Sequence, residues 1–191
     1  RFPNDDGVRK ARTKAARDLT AGRSGAPGPA ATARARGFAF LEGGRLEDAR
    51  AQFERALRFN GNDPDALGGL GVILLKEERF EAAAAALERA GTHSAKARKR
   101  WAPALASARF WNAYRQGQTA LDLSDAALAE NIARSLLTQA GGDRQSAQRL
   151  QADALLALGR PGDAEAAFRA TLDLTPGDVG GEVGLFNALV A

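Results

Sequence analysis

Small and apolar residues recur along most of this chain at helical spacing, and the pattern itself returns at a fixed distance. Asp63-Pro64, an N-cap acid followed by the residue best suited to the first helical position, opens the run "DALGGLGVILLKEER"; a second amphipathic run, "FEAAAAALERAG", follows directly. Three glycines lie inside the first run, where each costs about 1 kcal/mol of helix propensity relative to Ala. That calls for a compensating contact. A phosphate cradle is a poor account of them: Gly69 and Gly71 supply G-x-G, but Leu74 stands where a third glycine belongs, and no Gly-Lys-Ser/Thr follows. Sliding the sequence by 34 residues superposes Gly37 on Gly71, Phe40 on Leu74, Leu46 on Phe80, Ala49 on Ala83, Phe53 on Leu87 and Ala56 on Ala90. Each copy reads as helix A, turn, helix B. The small residues let the paired helices approach, while Phe53 and Leu87 fill the gap toward the next pair.

A period of 34 with a small residue on helix A and A-x3-F-x2-A on helix B resembles the tetratricopeptide repeat. The resemblance implies an all-α solenoid of antiparallel helix pairs. The pattern continues downstream: Ala152 and Leu155 lie on a helix A, and Ala164, Phe168 and Thr171 on its helix B, closed by Thr175-Pro176. A degenerate copy lies before it, with Gly117, Ala120, Ala129 and Leu136 in register and Ala133 at the usually aromatic place. The small residues at 37, 71, 117 and 152 are separated by 34, 46 and 35 residues (71 − 37, 117 − 71, 152 − 117), so an insertion falls near "THSAKARKRWAP". Extra residues must loop out or lengthen a helix; either changes the rotation between neighbours, and a bend is expected there. The resulting division is 1–29, a leading basic helix and Gly/Pro linker; 30–91, two regular repeats; 92–109, an inserted spacer helix; 110–144, the degenerate repeat; 145–177, a further repeat; and 178–191, the first helix of another, with Phe186 in register. Without an aromatic at Ala133, the third repeat is expected to be the weak one, exchanging amides faster than its neighbours.

Composition narrows the function classes. The chain has no Cys and a single histidine, His93, placed after a helix end. No thiolate or zinc cluster and no familiar triad can be assembled from these, and the acid pairs Glu77/Glu78 and Asp122/Asp125 are of the kind found on most helical surfaces. We read the segment as non-enzymatic, with no cofactor and no metal. A net charge of +4 is concentrated in Arg9, Lys10, Arg12, Lys14 and Arg17 and in Lys96, Arg98, Lys99 and Arg100. Such clusters attract phosphates, yet no nucleic-acid-binding motif accompanies them, so nucleic acid is not the expected partner. No membrane span is expected. A chain that starts at Arg1 and stops within a repeat is expected to be a piece of something longer.

Binding is what remains. Helices A line the inner groove of such arrays, and spacing along them nominates Arg34, Phe38, Leu41, Val72, Lys76, Trp111, Tyr114, Gln118, Arg149 and Asp153. Trp111 and Tyr114, three apart on one helix face, are open to two readings: aromatic grip on a sugar ring or peptide side chain, or packing of the irregular junction at the insertion. The carboxylate clamp of chaperone-binding arrays is not expected, since Phe38 and Gly69 stand where its asparagines belong.

The string "NDPDALGGLGVILLKEERFEAAAAALERAG", a long insertion with Lys-Arg-Trp, and "ASARFWNAYRQGQTALD" resemble the periplasmic repeat region of the cellulose-export proteins that serve bacterial cellulose synthases, best over residues 60–120. The resemblance implies a periplasmic scaffold that aligns other subunits of a polysaccharide synthesis and export complex, with the glucan chain or peptidoglycan as further contacts. The alternative is a generic peptide-binding adaptor, which would be cytoplasmic.

Overall fold

The computed structural model describes residues 5–20, 28–139 and 142–191. Most of the expected Gly/Pro linker lies outside them. The described residues form ten α-helices: α1 Asp5–Thr20, α2 Pro29–Glu42, α3 Leu46–Phe59, α4 Pro64–Lys76, α5 Phe80–Thr92, α6 Ala95–Asp122, α7 Ala126–Leu137, α8 Arg144–Ala157, α9 Pro161–Leu174 and α10 Val179–Val190. The chain divides into two compact units, residues 1–109 and 110–191. The inserted residues from 95 onward are the leading part of α6, continuous with the helix that carries Gly117.

In the first unit α2 pairs with α3 and α4 with α5, and α4 also packs on both α3 and α2. The glycines of helices A explain this approach. Phe53 is fully buried, and its ring fits between Gly37 and Gly69: a Cβ at these positions would stand only 2.6 and 2.4 Å from ring carbons. Gly71 likewise receives Leu87, at 2.5 Å from such a Cβ. The propensity lost at each glycine is therefore offset by an aromatic or branched side chain seated on bare helix backbone.

The second unit repeats this interlock with different parts. Phe168 of α9 lies on Gly184 of α10, where an added Cβ would come within 2.2 Å of the ring. Both Phe53–Gly69 and Phe168–Gly184 span 16 residues, so each joins a helix B to the next helix A. Beside Gly117 the place is taken by Leu150 of α8, whose Cδ2 would stand 2.5 Å from an added Cβ. Ala133 supplies no plug, but the gap is filled from the following helix A, within a cluster of Phe110, Ala133, Leu136, Ala147 and Leu150.

Turns between paired helices share one geometry. Gly44, Glu78, Ser124 and Gly159 all take positive φ, from 57° to 74°, each seven residues after the small residue of its helix A. The residue following each donates its N–H to a carbonyl five residues back: Arg45 to Phe40, Arg79 to Leu74, Asp125 to Ala120 and Arg160 to Leu155. This is the Schellman closure of a helix end. Three helices A start alike, with Asp63, Asp143 and Asp178 accepting backbone N–H groups as N-caps of α4, α8 and α10.

Candidate functional site

The four small residues of helices A set a common register, and the nominated residues fall into columns on it. Three positions before lie Arg34, Gly68, Tyr114 and Arg149; one position after lie Phe38, Val72, Gln118 and Asp153. The two units treat these columns differently.

In the second unit the columns are accessible. Tyr114 and Asp153 are half-buried and Gln118 is exposed. Gln118 Nε2 donates to Tyr114 Oη at 3.2 Å. Arg149 reaches Asp178 at 3.6 Å, and its guanidinium lies over the bare backbone of Gly180, 2.0 Å from where a Cβ would stand. Asp178 and Gly180 were not nominated from sequence; the Asp N-cap recurring 35 residues after Asp143 is the signal that marks them. Burial pushes the Tyr114 phenol up, with Arg149 opposing it and Asp153 and Asp143 adding to it. Burial also raises the Asp153 carboxyl, against the pull of Arg149. Tyr114, Arg149 and Asp153 thus form one electrostatic group, drawn from α6 and α8.

Trp111 packs edge-on against Phe110 and Tyr114, with ring centroids 5.3 and 5.5 Å apart, and both Trp111 and Tyr114 lie against the unit's core cluster. Both remain partly exposed. Tyr114 is thus an anchored, partly exposed ring beside the Gln118 amide and within the influence of the Arg149 guanidinium and the Asp153 carboxylate, with Trp111 edge-on to it.

In the first unit the same columns are closed. Phe38 and Val72, expected to line an open groove, are 0% and 5% exposed, and Leu41 is 5% exposed. Around them α2 packs on α3 and α4, and α1 packs along α2 and reaches α4. Helix α1 buries Val8, Ala11 and Ala15 and anchors Lys14 Nζ on Asp65 Oδ2 at 2.7 Å and Arg12 on Glu42. Phe38 also stacks edge-on against Phe53, 4.9 Å between centroids. Arg34 is engaged by the N-cap carboxylate, its Nη1 donating to Asp63 Oδ2 at 2.7 Å. Gly68 lies under the buried ring of Trp101. Lys76 is exposed at the end of α4. His93 forms the exposed C-cap of α5, and among the described residues no group of three or more His, Cys, Asp and Glu could hold a metal ion. No described helix is long and apolar enough to cross a membrane.

The family model for the tetratricopeptide repeat matches residues 34–97 and 114–179. The chain belongs to the tetratricopeptide repeat family. The two matched stretches skip residues 98–113, within α6, as the lengthened spacing requires. Among individual proteins, this repeat chain is 35% identical over 156 residues to cellulose synthase operon protein C of Xanthomonas axonopodis pv. citri (strain 306), a match covering 79% of this chain and 10% of that one. The corresponding protein of Pseudomonas fluorescens (strain SBW25) is 33% identical over 162 residues, covering 80% and 12%. One from Komagataeibacter xylinus is 44% identical over 82 residues, covering 43% and 6%. The chain therefore spans about a tenth of the length of the curated relatives it matches.

Proposed function

We propose that this chain is a non-catalytic scaffold segment of a cellulose synthesis and export complex, standing in the periplasm and holding partner subunits in line. The observation that carries this reading is the similarity to cellulose synthase operon protein C along about four-fifths of the chain. The A-face of the second unit supplies a site suited to the polymer. Trp111 and Tyr114 offer apolar ring area with a polar tip, and Gln118, Arg149 and Asp153 offer donors and acceptors for sugar hydroxyls.

Titration of the chain with cello-oligosaccharides, beside Trp111→Ala and Tyr114→Ala, tests the site. Weaker binding in both variants, with helix content unchanged, is expected. Unchanged affinity in folded variants removes both residues from it. The contact of α1 with α2 and α4 in the first unit supports a second reading, an adaptor for helical protein segments.

A further inference from the structure

Charge is unevenly spread along this chain. Residues 89–121 hold seven cations and no Asp or Glu, whereas the rest holds 20 cations (27 − 7) against all 23 acids. The whole positive excess therefore comes from one stretch, the end of α5 and most of α6. Within it Arg100 is paired with Asp65 and Arg109 with Glu88. Arg89, Lys96, Arg98 and Lys99 are exposed, and among the described residues no acid pairs with them.

These four cations come together in the first unit. Only His93 and Ser94 separate α5 from α6, and α6 begins against the last turn of α5: the Cα of Arg98 lies 3.5 Å from where a Cβ on Gly91 would stand. The start of α6 is also held in place. Ser94 Oγ accepts from the Ala97 N–H at 3.0 Å, Trp101 is buried on Gly68, and Arg100 is bound by the buried Asp65. The cations are thus displayed from a fixed platform. Their placement works against the helix that carries them, because Lys96 and Arg98 stand in the first turn of α6, where the macrodipole disfavours positive charge and favours an anion.

We infer that this junction of α5 and α6 is a docking surface for an acidic protein segment, whose carboxylates engage Arg89, Lys96, Arg98 and Lys99. Charge complementarity sets the sign of the partner, and the surroundings set its class. The exposed apolar residues from 89 to 109 are Ala95, Ala102, Pro103 and Ala106, which give nothing to insert into a bilayer. The Trp of Lys-Arg-Trp is 1% exposed, so its ring is not offered to a nucleobase or a sugar. What remains is contact between charges on a pre-organised array, as carboxylates on a peptide supply. The surface belongs to the first unit, and the inference stands independently of the cellulose reading.

The test uses the full chain and a fluorescein-labelled deca-glutamate peptide, read by fluorescence anisotropy. Lys96→Gln/Arg98→Gln/Lys99→Gln is expected to bind the peptide at least about tenfold more weakly than wild type, through the loss of three exposed pairs. Arg36→Gln/Arg144→Gln/Arg169→Gln, which removes the same charge from α2, α8 and α9, should bind within about threefold of wild type. Added salt should weaken the wild-type complex. The first variant should unfold no earlier in urea than wild type, since its cations no longer oppose the macrodipole; an earlier midpoint would make them structural and overturn the proposal. Equal weakening in the two variants, which reduces the effect to net charge, does the same, as does failure of the wild type to bind the peptide. Tighter binding of the wild type to phosphatidylglycerol vesicles or to single-stranded DNA than to the peptide would assign the surface to another class of partner and equally overturn it.

Discussion

At the scale of single residues, glycine does two opposite jobs in these helices, and the space around each decides which. An added methyl at Gly69 would stand 2.4 Å from the fully buried Phe53 ring, whereas nothing lies within 4 Å of one at Gly162. Overpacking costs roughly 1–3 kcal/mol, which outweighs the ~1 kcal/mol propensity gain. Gly69→Ala is therefore expected to lower the urea midpoint. Gly162→Ala should raise it, by about 0.4–1 kcal/mol through the unfolded chain's entropy. Asp153 makes a second residue-scale prediction. Its carboxyl is lifted by burial, so the native state holds that proton to higher pH than the unfolded chain. Stability from this group is present below the ordinary carboxylate range and lost as pH rises through it to the raised native value. Asp153→Asn should remove this loss, so that the variant gains on wild type in urea midpoint from about pH 4 to pH 7. A constant difference between the two across that range would refute the assignment.

At the scale of elements, the turn after each helix A repeats one backbone closure with four different residues, and only two of them are glycine. Ser124 at φ 62° carries the left-handed strain of an L-residue, about 1–2 kcal/mol. Ser124→Gly is expected to stabilise the second unit by about 1 kcal/mol, checked by thermal and urea unfolding; a lower midpoint would mean that the hydroxyl matters more than the strain. Much of this layer is legible in the sequence. The register of small residues at 37, 71, 117 and 152 reappears unchanged in the positive-φ residues at 44, 78, 124 and 159, because each turn is a fixed distance from the helix crossing. Asp63-Pro64 likewise reads directly as a cap. Less legible is α6: Pro103 lacks the N–H of a helix interior and signals a break, yet the helix runs through it from Ala95 to Asp122. The packing of α1 on α2 and α4 is not legible at all. Among the described residues of α1 the buried apolar positions are Val8, Ala11 and Ala15, and alanine carries no directional signal; the spacing likewise assigns Phe38, Leu41 and Val72 to an open groove, yet all three are buried.

At the scale of the whole chain, each unit is held by side chains that reach from one repeat into the next. Phe53→Ala should empty the contact between Gly37 and Gly69 and cost about 3–5 kcal/mol. Leu150→Ala should cost about 2–5 kcal/mol, because Leu150 fills the place that Ala133 leaves beside Gly117. Hydrogen exchange is the discriminating measurement: Phe53→Ala should deprotect α2 to α4, and Leu150→Ala α7 and α8, as nearest-neighbour stacking predicts. Faster exchange of α7 in the wild type would retain the third repeat as the weak point, whereas equal protection would credit Leu150 with full compensation. The candidate sugar-facing residues belong to this scale as well, since Tyr114 and Arg149 become neighbours only once α6 and α8 are stacked. Finally, the phenylalanines that close the pairs α2–α3 and α8–α9 have half of their socket on the following helix, at Gly69 and Gly184. A designer who transplants such a hairpin into another array, cutting at the end of its second helix, would carry away the key and abandon the lock. The portable module runs on through the next helix's glycine.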